Sequence, residues 1–240
     1  MATAILVRHG RTTANATGVL AGRTAGVRLD DVGQQQAKAT GERLGVVPLA
    51  AVVTSPLERC RQTATAILAA QAGEAKATPE RGLLECDYGE WQGEQLKVLA
   101  KHALWPSIQA QPSSVTFPGG ESMVAMSSRA ISAVRRHDAA IAAEHGDAAS
   151  WVAVSHGDII KAIVADALGM HLDLFQRINI DPASITIIRY TAARPYVLSV
   201  NTHAGDLSWL RPPVKKGRSR RKPVTDAVVG GGAGPVPPSA

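Results

Sequence analysis

Short apolar runs alternate with longer stretches of helical period along most of this chain. Ala4–Val7, Ala51–Thr54 and Trp151–Ser155 are brief and continuously apolar, as expected of strands buried on both faces of a sheet. Ser184–Tyr190 and Tyr196–Asn201 flank Ala192-Ala193-Arg194-Pro195 and predict a hairpin. Helices are expected at about Gln34–Leu44, Leu57–Ala72, Ser122–Glu144 and Ile159–Leu168. In the third of these, Val124, Ile131, Val134 and Ile141 recur at helical spacing and mark one buried face. The second has Ser55 in position to act as N-cap, with Pro56 as its first helical residue. Strands alternating with helices predict an α/β three-layer sandwich. Its central sheet is mostly parallel with an antiparallel edge strand, and helices cover both faces.

Two stretches break the pattern. Residues 92–120 contain Pro106, Pro112 and Pro118, follow no clear period, and are expected to form a cap or lid. From Pro212 onward the chain is rich in Pro, Gly and cations and ends in Gly230-Gly231-Gly232-Ala233-Gly234-Pro235 and a few further residues, which predicts disorder. The expected organisation is therefore one domain over 1–210 and a basic disordered tail over 211–240. No internal repeat is evident.

Composition sharpens this division. The chain has 240 residues, 45% of them hydrophobic, enough for a substantial core. Its net charge of +6 would ordinarily suggest nucleic acid. However, seven of the 26 basic residues and one of the 20 acidic residues fall within 211–240, so the tail carries all the excess and the body is neutral. Nucleic acid is thus an unexpected partner except through Lys215–Lys222, and such a run is more often a solvated end. On this reading, truncation at Pro212 leaves activity unchanged. Two cysteines, Cys60 and Cys86, build no disulfide framework and suit a reducing compartment. The N-terminus lacks a signal-peptide pattern, and no apolar run approaches the ~20 residues that span a bilayer. A cytoplasmic protein with no membrane partner is expected.

The chemistry gathers where strands give way to turns. Arg8-His9-Gly10 ends the first strand, Thr54-Ser55-Pro56-Leu57-Glu58-Arg59 joins the second to its helix, and Ser155-His156-Gly157 joins the third to its helix. In α/β sheets, ligands collect outside the carboxyl ends of the strands, where helix N-termini offer free N–H groups and partial positive charge to phosphate. A fourth segment, Leu83 to Trp91, brings Glu85. Two arginines, two histidines and one acid make a complete set for phosphoryl transfer from a monoester. Arg8 and Arg59 can bind the dianion bidentately, and neutral His9 can attack phosphorus. His156 and Asn15 can hold the equatorial oxygens, and Glu85 can protonate the leaving alkoxide, a role worth ~10²–10⁴ in rate. The same carboxylate could then deprotonate the water that hydrolyses the phosphohistidine. No metal or other cofactor is required. Asp87 and Glu90 compete with Glu85 for the acid's role but are better read as structural or solvated. His102, His137, His145, His171 and His203 lack metal-ligand spacing.

These residues, in this order, resemble the histidine phosphatase (phosphoglycerate mutase-like) superfamily, branch 1. The resemblance rests on Leu6-Val7-Arg8-His9-Gly10-x-Thr12-x-x-Asn15, Ser55-Pro56-Leu57-x-Arg59-x-x-x-Thr63-Ala64, Tyr88-Gly89-x-Trp91-x-Gly93 after Glu85, and Ser155-His156-Gly157. It covers about residues 3 to 205. It implies His9 as phosphorylated nucleophile, Glu85 as proton donor, and Arg8, Arg59 and His156 as the phosphate pocket. Asn15, Gly22 in the Ala21–Thr24 loop, and Gly157 would complete the substrate-binding set. Leu29-Asp30-Asp31-Val32-Gly33 departs from the family's usual Leu-Thr-x-x-Gly, and Cys60 stands where a small residue is usual.

The expected activity is hydrolysis of a small phosphorylated metabolite. A phosphoglycerate mutase-type phosphomutase is the alternative, since it resembles the phosphatases in every catalytic residue. Only 36 positions separate Glu85 from Glu121, short of the insertion that shields the mutases' phosphoenzyme. A scaffold working through the basic tail is the third reading, but it would be expected to have lost one of His9, Arg59, Glu85 or His156. Specificity should lie in residues 18–29 and 92–120. A homodimer paired through the hairpin edge near Tyr196–Asn201 is a further expectation.

Overall fold

A computed structural model describes residues 1–72, 76–205 and 228–234. In chain order the strands and helices are β1 (Thr3–Arg8), α1 (Thr13–Thr17), α2 (Asp31–Leu44), β2 (Leu49–Thr54), α3 (Glu58–Ala69), β3 (Ala77–Pro79), α4 (Leu96–Leu99), α5 (Trp105–Ala110), α6 (Met123–His145), β4 (Ser150–Ser155), α7 (Gly157–Ala167), β5 (Ile185–Arg189) and β6 (Tyr196–Thr202). The sheet runs β3-β2-β4-β1-β5-β6. Strands β1 to β4 are parallel, and β5 and β6 are antiparallel additions, as the hairpin pattern predicts.

Alternation along the strands divides the core in two. Ile5, Val7, Val52, Val152 and Val154 face Leu44, Ala64 and Ile67 of α2 and α3. Leu6, Val53 and Ala153 face the other way, onto Ala130, Val134 and Ile141 of α6 and Ile159 and Ile163 of α7. Apolar side chains on both faces are what a central parallel strand requires. The register sets Arg8 beside Ser155 and Thr54 beside Val154, so β1, β2 and β4 end together and deliver their three turns to one place.

Several boundaries differ from the sequence expectation. Helix α3 begins at Glu58 with Leu57 as its N-cap residue, because Pro56 keeps Ser55 out of helical conformation and Leu57 is itself extended (φ −69°, ψ 142°). Ser55 therefore does not cap α3. Helix α2 begins at Asp31, three residues earlier than expected, since the Asp30 carboxylate accepts the Gly33 N–H at 2.8 Å. Residues 92–120 are largely irregular, as expected, but they are not featureless. They contain α4 and α5, and Leu99, Ile108, Val115 and Phe117 are buried in the main core. Strand β6 forms the outer edge, with Tyr196, Leu198 and Val200 exposed.

Disorder does not describe the whole tail either. Val228–Gly234 returns to the carboxyl ends of the strands, where Val229 is buried. The basic run Lys215–Lys222 lies outside the described residues.

Candidate active site

His9 leaves the end of β1 with its backbone N–H tied to the Ser155 carbonyl at 3.0 Å. Its ring is buried, and Nδ1 lies 2.7 Å from the Gly10 carbonyl. A carbonyl can only accept, so Nδ1 carries the hydrogen and Nε2 keeps its lone pair. Arg59, from the first turn of α3, donates to that Nε2 from its Nε at 3.2 Å. Burial, followed by the charges of Arg59 and Arg8, pushes the His9 pKa well below its ordinary value. The imidazole is neutral and its free nitrogen faces the pocket's cation.

His156 meets His9 edge to face, with ring centroids 5.2 Å apart. Its Nδ1 accepts from Arg59 Nη2 at 3.2 Å, so Nε2 carries the hydrogen and donates to Ser55 Oγ at 2.8 Å. The Ser55 hydroxyl thus orients a histidine where a helix cap was expected. Burial, then Arg59, also holds His156 well below its ordinary pKa.

The two guanidinium groups are buried and incompletely satisfied. Arg8 donates from Nη1 to the Ile180 carbonyl at 2.8 Å and from Nη2 to the Gly231 carbonyl at 3.1 Å, while its Nε has no partner. Arg59 Nη2 is held by the Gly22 carbonyl at 2.7 Å, while Nη1 has no partner. A buried charged donor without a partner costs on the order of 1–3 kcal/mol or more, which an anion would recover.

Glu85 is buried, accepts the Cys86 N–H on Oε1 at 3.0 Å, and places Oε2 3.9 Å from His156 Nδ1. Burial, followed by the nearby Asp158 carboxylate, raises its pKa to about 7. A carboxyl group that keeps its proton near neutrality suits a general acid.

A cavity of about 200 Å³ opens beside these groups, lined by His9, Asn15, Gly22, Arg59 and Glu85 among others. The oxygen of Asn15 is committed to the α1 capping box with Thr12. Gly22 acts through its carbonyl on Arg59, and its φ of +52° suits glycine. Arg8 and His156 lie beneath this lining. Gly157, at the start of α7, faces Gly230 and Gly231.

Four residues beyond the expected set support the site. Arg23 and Arg129 both donate to the Glu85 carbonyl, at 2.8 and 3.0 Å, and both bind Glu121. Asp158 accepts from the Tyr88 hydroxyl at 2.8 Å and from the Gly230 N–H at 2.9 Å. Glu121 follows the Gly119-Gly120 pair, but no local signal ties it to Arg23, 98 positions away, or joins that contact to the one with Arg129, eight positions on.

The strand order and the clustered Arg, His and Glu side chains define an α/β protein with a buried pocket of titratable groups at the carboxyl end of its sheet. The model of the histidine phosphatase superfamily (branch 1) matches residues 4–203, and the chain belongs to that family. It is 33% identical over 195 residues to a bifunctional protein of Mycobacterium tuberculosis, covering 78% of this chain but only 50% of that protein, so it spans about half of that relative's length. It is 29% identical over 209 residues to phosphoserine phosphatase 1 of Hydrogenobacter thermophilus, covering 84% and 94% of the two chains. The solved structure of a mycobacterial glucosyl-3-phosphoglycerate phosphatase shares the fold, with a TM-score of 0.73 at 24% identity over 83% of this chain and 98% of that one.

Proposed function

We propose that this chain hydrolyses a small phosphomonoester without a metal, through a phosphohistidine on His9 with Glu85 as proton donor. The observation that carries this reading is the neutral His9 Nε2, set against Arg59, whose Nη1 has no partner, in a cavity that Glu85 also lines with its pKa raised to about 7. Nε2 attacks phosphorus as the bond to the leaving oxygen breaks, and Glu85 gives that oxygen its proton. Arg8, Arg59 and His156 hold the charge on the equatorial oxygens. Water then attacks the phosphohistidine while the Glu85 carboxylate takes its proton, which frees phosphate and restores the starting state.

The phosphomutase reading uses the same groups, but the cavity lining favours hydrolysis. Arg59 is the single cation lining the cavity among the described residues, and its neighbours there include Val19, Leu20, Ala21 and Leu96. A leaving group bearing its own carboxylate, as a phosphoglycerate does, would find no second cation. The scaffold reading has no support in a site that keeps His9, Arg59, Glu85 and His156 together.

The test is a phosphate-release assay with EDTA present, using an aryl phosphate beside 3-phosphoglycerate with a bisphosphoglycerate primer. Hydrolysis of the aryl ester, lost in His9→Ala, is the expected result. Interconversion of 2- and 3-phosphoglycerate with little phosphate release would make the chain a mutase.

A further inference from the structure

The Gly-rich end of the tail forms a wall of the catalytic cavity. Val228 to Ala233 line that cavity together with His9, Arg59 and Glu85. The segment is latched at two buried charged groups: the Gly230 N–H donates to Asp158 at 2.9 Å, and Arg8 donates to the Gly231 carbonyl at 3.1 Å. Val229, only 1% exposed, anchors it in the apolar core.

The glycines are there for close approach rather than slack. A Cβ on Gly231 would sit 2.8 Å from Arg8 Nη1, and one on Gly230 would sit 3.0 Å from Leu20 Cδ1. Both residues also have positive φ, +74° and +75°. From the other side, a Cβ on Gly157 would meet the Gly230 carbonyl at 3.2 Å. The left-handed backbone at Gly230 and Gly231 strains any other residue, and Gly157 lets the backbone of α7 approach them closely.

The segment bounds the cavity without filling it. About 200 Å³ remains between it and the catalytic groups, below the 300–1,000 Å³ of sites for larger ligands. We propose that Val228–Gly234, latched by Asp158 and Arg8, is the specificity-determining wall of the leaving-group site and restricts this chain to phosphomonoesters of compact alcohols. This inference rests on the phosphatase reading above, and it replaces the expectation that everything beyond Pro212 is dispensable.

The full-length chain and its Val229→Asp variant are compared on glycerol phosphate, a compact ester, and 1-naphthyl phosphate, a bulky one. Expelling the buried valine should raise kcat/KM for the naphthyl ester relative to the glycerol ester on the order of tenfold, chiefly through KM. A chain ending at Gly205 should show the same change, which guards against a local effect of the new charge. An unchanged ratio overturns the wall. An equal rise on both esters also overturns it, because the segment would then obstruct the site regardless of substrate. If the full-length chain turns over neither ester, the phosphatase reading fails. Calorimetric binding of methylphosphonate and phenylphosphonate then decides the wall by itself. Preference for the methyl compound, lost in Val229→Asp, supports it. Equal affinities, or no binding of either, overturn it.

Discussion

Arg59 donates from Nε to Nε2 of His9 across 3.2 Å, so the proposed nucleophile is capped at rest by the group that would bind its target. On the proposed mechanism, an arriving phosphate would take over that N–H and fill the unpartnered Nη1 of Arg59. Binding the anion and uncovering the lone pair then become one event. Turnover should fall by on the order of 10³-fold or more in His9→Ala. Acid-quenched wild-type chain should carry an acid-labile phosphoryl label that the variant lacks. A label that persists on the variant would assign the nucleophile elsewhere.

Glu85 sets a pH dependence whose sign follows from its raised pKa. Its carboxyl releases its proton at about 7 in the folded chain, against 4.5 as its ordinary value. In its proposed role of proton donor it would be active below that point, so kcat/KM should decline above about pH 7. In Glu85→Gln this limb should vanish, with a smaller loss of rate on an activated nitrophenyl ester than on an alkyl ester. The folded chain also holds a proton that the unfolded chain releases between those values. Glu85 therefore costs stability as pH rises from 4.5 to 7. The Tm advantage of Glu85→Gln should grow across that window. An advantage that shrinks or stays flat would contradict the buried, protonated acid.

Much of the candidate site is legible in the sequence because its signals are local. An apolar strand ending in Arg8-His9-Gly10, or in Ser155-His156-Gly157, places those side chains at the carboxyl end of the sheet. Glu85 is offered by its own segment as the set's one acid, but no local pattern aims its side chain, and the likeness to a family is what favours it over Asp87 and Glu90. Ser55 was misassigned because a Ser-Pro pair is an ordinary helix start, and the competing bond to His156 joins residues 101 positions apart. The Val228–Gly234 wall was illegible for a related reason. Composition alone does not separate glycines that form a linker from glycines that allow two backbones to touch. Helices α4 and α5 are only four and six residues long, too short to show a period.

Cys60 and Cys86 should behave as inert core thiols. Both are free and buried, and burial raises the Cys60 pKa to about 12 and that of Cys86 upward as well. Thiols held so far from the thiolate react slowly. Mild peroxide should leave the intact mass and the activity unchanged. A loss of 2 Da, roughly two hydrogens, together with lost activity would instead mark a redox pair beside the catalytic groups.

Arg129 is expected to act on catalysis through the backbone of the acid. From α6 it donates to the carbonyls of Gly82, Leu84 and Glu85 at 2.8, 2.8 and 3.0 Å, and it grips both oxygens of Glu121. The Glu121 carboxylate also accepts the Asp87 N–H and Arg23, so this clamp fixes the chain on both sides of Glu85. Arg129→Met leaves several acceptors unpaired, which should cost on the order of 2 kcal/mol. For a chain of this size that lowers Tm by roughly 4–8 °C. A purely structural role would stop there. A positioning role predicts that kcat on an alkyl ester falls further than kcat on a nitrophenyl ester, because the misplaced group is the proton donor, while KM changes little. Arg129→Lys, which keeps the charge but not the fork of donors, should recover part of the stability and little of the rate. Equal losses on the two esters would confine Arg129 to holding the fold.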